Sequence, residues 1–337
     1  MQAVKKITSS RRDRSLSILL LMVLLSACSS QAKKDAQWAE NHELYSGTDA
    51  SEFSKLLVKD DGNFETQGNT YYTSGELDKA LYAYLRALAV DENNADLYVK
   101  IGTIHRQRTN KRLAQIAFNK ALQLDSQNVW AMEKLGLLAL REREYEVAAE
   151  HFRSAITVDK QRLEEIALSQ GEVSTIFYDE RSPYRSYNGL GIVLDLQKSY
   201  REAVAFYRTA ALIKPDQAYI ANNIGYSFYL SDFWDEAELN YKNALKIDSS
   251  YQQANRNLAL LHVRRAEYSE ALATMWSLLD TSAAYNTVGY LCMLVGQFDV
   301  AEQYLLKAID SSPSYYDLAF QNLQKNQTLQ KSNMAYN

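Results

Sequence analysis

Five asparagines in the second half of the chain, Asn188, Asn222, Asn223, Asn257 and Asn286, recur at near-regular intervals. A carboxamide offers both a donor and an acceptor, so a row of them can bond the backbone amides of an extended peptide whatever its side chains. Arg185, Arg256 and Arg264 fall among them and could hold a carboxylate, a chain terminus included. Ile192, Tyr226, Tyr229, Leu260, Val263, Tyr290 and Met293 are interleaved and could bury apolar side chains of a ligand. The asparagines also have a structural reading, because Asn near a helix start bonds the preceding turn. Both readings stand at the level of sequence.

Bond-making chemistry has no comparable set. The four histidines, His42, His105, His151 and His262, lack the Cys/His spacing of a zinc site, and no Gly-rich loop precedes a helix to cradle phosphate. No nucleophile sits in a strand–helix elbow. The acidic pairs Glu164-Glu165 and Asp179-Glu180 read as solvated faces. The expectation is a protein that is not an enzyme, with no cofactor and no metal.

The elements that must position these residues come from a repeat. Tyr184–Gln217 is a 34-residue unit with Gly191, Leu194, Ala203, Tyr207, Ala210 and Pro215 at places 8, 11, 20, 24, 27 and 32. Starts at 61, 95, 129, 218, 252 and 282 reproduce it: place 8 reads Gly68, Gly102, Gly136, Gly225, Ala259 and Gly289. Place 20 reads Ala80, Ala114, Ala148, Ala237, Ala271 and Ala301. The sixth copy is short by about four residues, so its second helix is expected to end early. This pattern resembles the tetratricopeptide repeat. The fold expected is all-α: a solenoid of about seven helix pairs in a right-handed superhelix. Small residues at 8 and 20 let two helices approach, larger ones at 11 and 24 fill the gap, and Pro at 32 ends the second helix.

The resemblance implies that the first helix of each pair lines a concave groove through places 2, 5, 6, 9, 12 and 13. The asparagines then stand at places 5 and 6 of the last four repeats, similar to the asparagine ladder of some peptide-binding members. The first three repeats carry a more mixed set there, Trp130 at place 2 among them. His105 and His262 fall at place 11 and read as hydrogen-bonded core residues; Cys292, also at place 11, reads as a small buried hydrophobe.

The ends are of different material. Lys5, Lys6, Arg11, Arg12 and Arg14 precede an apolar run over 16–25, and Leu25-Ser26-Ala27-Cys28 closes it. That is the order of a secretory signal, too short to span a bilayer, and its ending resembles the lipobox of bacterial lipoproteins. Residues 1–27 are expected to be a lipoprotein signal peptide, with Cys28 lipidated by palmitate-type chains. Ser29 after the Cys implies, by the same resemblance, the periplasmic face of the outer membrane. Without 1–27 the charge count falls from 37 basic and 41 acidic to 32 and 40, a net of −8, which discourages nucleic-acid binding. Residues 28–50 are expected to be a flexible tether and 51–60 a capping helix. Repeats 1–3 occupy 61–162, an insertion 163–183, repeats 4–7 184–315, and a cap and tail 316–337.

The plan as a whole, and stretches such as YNGLGIVLDLQKSYREAVAFYRTAALIKPD, resemble the TadD-type lipoproteins of Flp (tight adherence) pilus systems. The resemblance implies a scaffold that helps a pilus secretin or another secretion component to assemble by binding a segment of it. A general periplasmic adaptor that recruits envelope hydrolases or other envelope proteins is the alternative. The oligomeric state is left open.

Overall fold

The computed structural model describes Leu44 and residues 63–169 and 178–336. The signal peptide expected over 1–27, Cys28, the capping helix expected over 51–60 and the middle of the insertion lie outside these residues. Every regular element among the described residues is helical. Seven pairs follow one another. They are α1 (Phe64–Thr73) with α2 (Leu77–Val90), α3 (Ala95–Gln107) with α4 (Lys111–Leu124), and α5 (Val129–Arg141) with α6 (Tyr145–Ser169). Then come α7 (Tyr184–Leu196) with α8 (Tyr200–Ile213), and α9 (Ala218–Leu230) with α10 (Trp234–Ile247). The last are α11 (Gln252–Arg264) with α12 (Tyr268–Trp276), α13 (Thr281–Leu294) with α14 (Phe298–Asp310), and a closing helix α15 (Asp317–Tyr336).

The short sixth copy does end early: α12 has 9 residues where α10 has 14. Pro215 lies just beyond the end of α8 and Pro313 just beyond that of α14, as a residue without an amide hydrogen requires. The closing helix runs to Tyr336, through most of the stretch expected to be cap and tail.

Each pair turns at place 15 on a residue with left-handed backbone: Gly75, Thr109, Arg143, Lys198, Asp232, Ala266 and Gly296, at φ from 59° to 80°. Only two of them are the glycine this conformation favours. The others are held by a pair of bonds that closes the helix end. In the second pair, Thr109 N–H donates to the Arg106 carbonyl at 3.1 Å and Asn110 N–H to the His105 carbonyl at 2.8 Å.

The chain divides into two compact units, residues 1–131 and 132–337. In the first, Tyr84 and Phe118 are buried between the helices of their own pairs. Tyr84 also donates its hydroxyl to Asn69 Oδ1 at 2.9 Å. Leu44, within the stretch expected to be a tether, is helical and 1% exposed, and its carbonyl lies 3.1 Å from Nε2 of the buried His105.

In the second unit the insertion does not interrupt the core. Phe152 and Ile156 of α6 share one buried cluster with Tyr187, Leu190 and Val193 of α7. The helix before the insertion runs on to Ser169 and buries Leu163. The far end of the insertion is tied back to this helix by Arg162, which donates to Asp159 at 2.6 Å and to both oxygens of Asp179 at 2.7 and 2.8 Å. Tyr178 meets Tyr187 edge to face at 5.6 Å.

The close approach of first and second helices is enforced at place 8. A Cβ built on Gly191 would stand 2.6 Å from the Tyr207 ring, and one on Gly102 2.5 Å from Phe118. The sixth pair solves the same contact differently, with Ala259 at place 8 and Met275 at place 24 in one buried cluster. An unbranched thioether bends where a ring cannot. Gly191→Ala should therefore destabilise the protein by about 1–3 kcal/mol. Adding Tyr207→Met should recover part of the loss. Thermal melting checks both; a double variant no more stable than the single would show that the ring is not the obstacle.

Candidate peptide-binding face

The candidate residues of the second unit lie on its first helices, α7, α9, α11 and α13. Successive first helices are related by one repeat, so place 5 of one comes beside place 6 of the next, 35 residues on. That offset decides what the asparagines do. Asn223 donates Nδ2–H to Asn188 Oδ1 at 2.9 Å, and Asn257 donates to Asn222 Oδ1 at 2.9 Å. Asn257 Oδ1 in turn accepts from Gln253 Nε2 at 3.0 Å. The row continues onto the closing helix, where Asn322 donates to Asn286 Oδ1 at 2.9 Å.

The carboxamides thus tie neighbouring repeats together, and Asn188, Asn222, Asn257 and Asn286 are buried. Part of their capacity remains. Nδ2 of Asn188, Nδ2 of Asn222 and Oδ1 of the half-buried Asn223 make no protein hydrogen bond. The first unit has the same joint in charged form: Lys100 at place 6 donates to Glu65 at place 5, 2.7 Å away.

A second row uses places 12 and 13. Arg264 Nε donates to the Tyr229 hydroxyl at 3.0 Å and its guanidinium lies 5.9 Å from the ring centre. In the first unit Gln107 reaches the Tyr72 hydroxyl at 2.6 Å across the same 35-residue step. Tyr226 stacks on Tyr229 with centroids 6.1 Å apart and stays 40% exposed. Arg185 is exposed and covers the Tyr184 ring at 5.1 Å, and Arg256 is exposed with no partner. Tyr290 is half-buried beneath Lys325 of α15, 5.9 Å from the ring centre.

Sequence reasoning missed Gln253, Asn322 and Lys325. The first has the right place but is not an asparagine, and the other two sit on a helix without a partner, outside the seven copies. A step of 35 or 36 residues from Tyr290 and Asn286 was the signal available for finding Lys325 and Asn322, and the four-residue helix spacing to Asn257 the one for Gln253.

Behind the face, Asp195 at place 12 is half-buried between α7, α8 and α9. It accepts from the Tyr207 hydroxyl at 2.8 Å and from Ser227 Oγ at 2.7 Å. Burial pushes its carboxyl above the ordinary value, against the pull of the two hydroxyl donors, and burial likewise raises Tyr207. The place-11 residues are core. His105 is bonded as described, His262 Nδ1 lies 2.7 Å from Glu267, and burial pushes the Cys292 thiol up to about 12. Among the described residues no group of three or more His, Cys, Asp or Glu could hold a metal, and no helix is long and apolar enough to cross a membrane.

The sequence matches repeat-family profiles in four segments: a TPR repeat over 68–107, and a tetratricopeptide repeat over 99–163, 184–217 and 282–315. Among solved structures, a tetratricopeptide repeat protein from Parabacteroides merdae is 14% identical, covering 79% of this chain and 98% of that one at a TM-score of 0.50. The Cut9–Hcn1 tetramer of the APC/C is 15% identical, covering 82% and 52% at 0.54. The MamA protein is 22% identical over 56% of this chain and 92% of its own, at 0.41. No curated protein matches the sequence significantly. The chain folds as tetratricopeptide repeats, an architecture that serves as a scaffold for contacts between proteins.

The Asp195 geometry has a measurable consequence. A carboxyl whose folded value is raised holds its proton to higher pH than in the unfolded chain, so its contribution to stability is lost as pH rises from about 4 through the folded value. Asp195→Asn keeps an acceptor for Tyr207 and Ser227 and removes that loss. The variant should gain stability relative to the parent between about pH 4 and pH 7. Parallel pH profiles of melting temperature would refute the assignment.

Proposed function

We propose that the first-helix face of the second unit binds an extended segment of a partner protein. One observation carries this: beside a carboxamide row with unused donors and acceptors stand Tyr226, Arg185 and Arg256, exposed and without an ion-pair partner. Neighbouring helices lie roughly 8–10 Å apart and an extended chain advances about 3.3 Å per residue. Each repeat can therefore meet about one residue in three of a bound strand. Asn188, Asn222 and Asn223 would bond its backbone, the tyrosines would cover its apolar side chains, and the arginines would take its carboxylates.

The finer reading follows the lipobox. Cys28, lipidated, holds the repeats at the periplasmic face of the outer membrane, and the partner is a pilus secretin or another component of a Flp-type secretion apparatus. The resemblance of the repeat stretches and of the leader supports that choice over a general adaptor.

The role of the carboxamides in joining repeats determines which substitutions test binding. Tyr226→Ala with Arg256→Ala should reduce capture of the secretin from envelope extracts at least tenfold while leaving the melting temperature unchanged. Asn222→Ala with Asn223→Ala should reduce both, since it removes two inter-repeat bonds worth about 1 kcal/mol each. Undiminished secretin capture by the first variant would defeat the groove, and capture of a cell-wall hydrolase instead would favour the adaptor. Cys28→Ala should move the protein from the outer-membrane to the soluble fraction; unaltered fractionation would remove the anchor.

A further inference from the structure

We propose a second binding site in the same unit, away from the carboxamide row: a pocket for an acidic peptide segment bearing an aromatic or branched apolar residue between two carboxylates. The pocket, about 510 Å³, lies between α8 and the end of α9. Its floor is Val204, Phe228 and Phe233, and Arg201 and Arg208 stand along one side. That volume is within the range of roughly 300–1,000 Å³ in which binding pockets fall.

Two of these residues break the local rules of the repeat. Phe233 occupies place 16, where the other six copies carry Glu76, Asn110, Glu144, Ser199, Glu267 and Gln297. It stands at the N-cap of α10 and caps nothing, in a position that favours Ser, Thr, Asp or Asn. One edge meets Phe228 at 6.3 Å and closes the end of α9, yet 55% of the side chain remains exposed. Arg201 is the second residue of α8, where the helix dipole disfavours a cation. The same place carries Asp78, Glu146, Asp235 and Asp299 in four other copies, Ser269 in the sixth and a second arginine, Arg112, in the second. Residues that contradict their local setting are expected at functional sites.

The charge defines the occupant. Arg201 and Arg208 are exposed and form no ion pair, and Arg208 leans over the Phe228 ring at 5.9 Å. Seven residues apart on a helix, they are separated by about 10.5 Å along its axis, further than one carboxylate spans. In an extended segment every second residue shares a face. Acid, spacer, apolar, spacer, acid therefore places two carboxylates about 13 Å apart with the apolar side chain between them. The two guanidiniums meet the acids and the phenyl rings receive the apolar group.

The test is fluorescence anisotropy of the full chain with an end-capped, labelled peptide, Gly-Gly-Glu-Ser-Phe-Ser-Glu-Gly-Gly. Saturable binding is expected, weakened at least tenfold by Arg201→Glu with Arg208→Glu, by Phe233→Ser, and by Lys for Glu in the peptide. All three side chains are exposed, so unchanged melting of the variants is expected alongside. Asn222→Ala with Asn223→Ala should leave this binding intact, which separates the pocket from the carboxamide face. No saturable binding, equal binding of the lysine peptide, or indifference to the arginine reversals would each overturn the proposal.

Discussion

The contact between a small residue at place 8 and a large one at place 24, a ring in five of the seven pairs, governs the rest of the structure. In six of the seven pairs a glycine of the first helix lies against Tyr84, Phe118, Phe152, Tyr207, Tyr241 or Leu305 of the second, closer than a methyl group would permit. Once the two helices of a pair are locked at that distance, the outer surface of each pair is fixed, and so is what it can offer to the next. Phe152 shows how far this reaches. It fills the gap beside Gly136 in its own pair and presses on Gly189 of the following one, so one ring sets both the hairpin and the joint across the insertion. Rigid aromatic packing of this kind leaves little freedom for a neighbour to dock elsewhere.

From that geometry the 35-residue step follows, and with it the character of the first-helix face. Place 5 of each repeat meets place 6 of the next. Nature of the side chains is secondary there: Glu65 and Lys100 make an ion pair, while Asn188 with Asn223 and Asn222 with Asn257 make carboxamide pairs. The carboxamide version keeps donors and acceptors in reserve, because each amide uses only part of its capacity on the neighbour. The same side chains can hold the repeats in register and still face a ligand. Structural and binding roles, which are alternatives at the level of a single sequence position, are compatible in one asparagine.

The most irregular features are concentrated in the second unit. The insertion leaves α6 longer than its counterparts and is held at its far end, where Asp179 accepts from Arg162 and Tyr178 packs on Tyr187. In the next two pairs, Arg201 and Phe233 depart from the pattern of their places and border a pocket. The turns are more uniform. All seven use a left-handed residue at place 15, and five use a residue other than glycine, held by backbone bonds at the helix end.

The sequence alone determined the repeat, its period, the seven pairs and the shortened sixth copy. Glycine, alanine and aromatic spacing reports helix–helix distance directly, and that distance is local to each pair. It also placed the asparagines, tyrosines and arginines on the right helices. What it left undecided was which partner each carboxamide takes, whether the insertion separates two cores, and which surface residues gather around a cavity. Those depend on contacts between pairs, made across 20 to 37 residues by side chains whose types vary from copy to copy. Only when neighbouring hairpins are stacked do Asn188 and Asn223, Phe152 and Gly189, or Arg208 and Phe228 come together. No periodicity of one strand of sequence encodes that meeting, since it is the packing of one pair on the next that creates it.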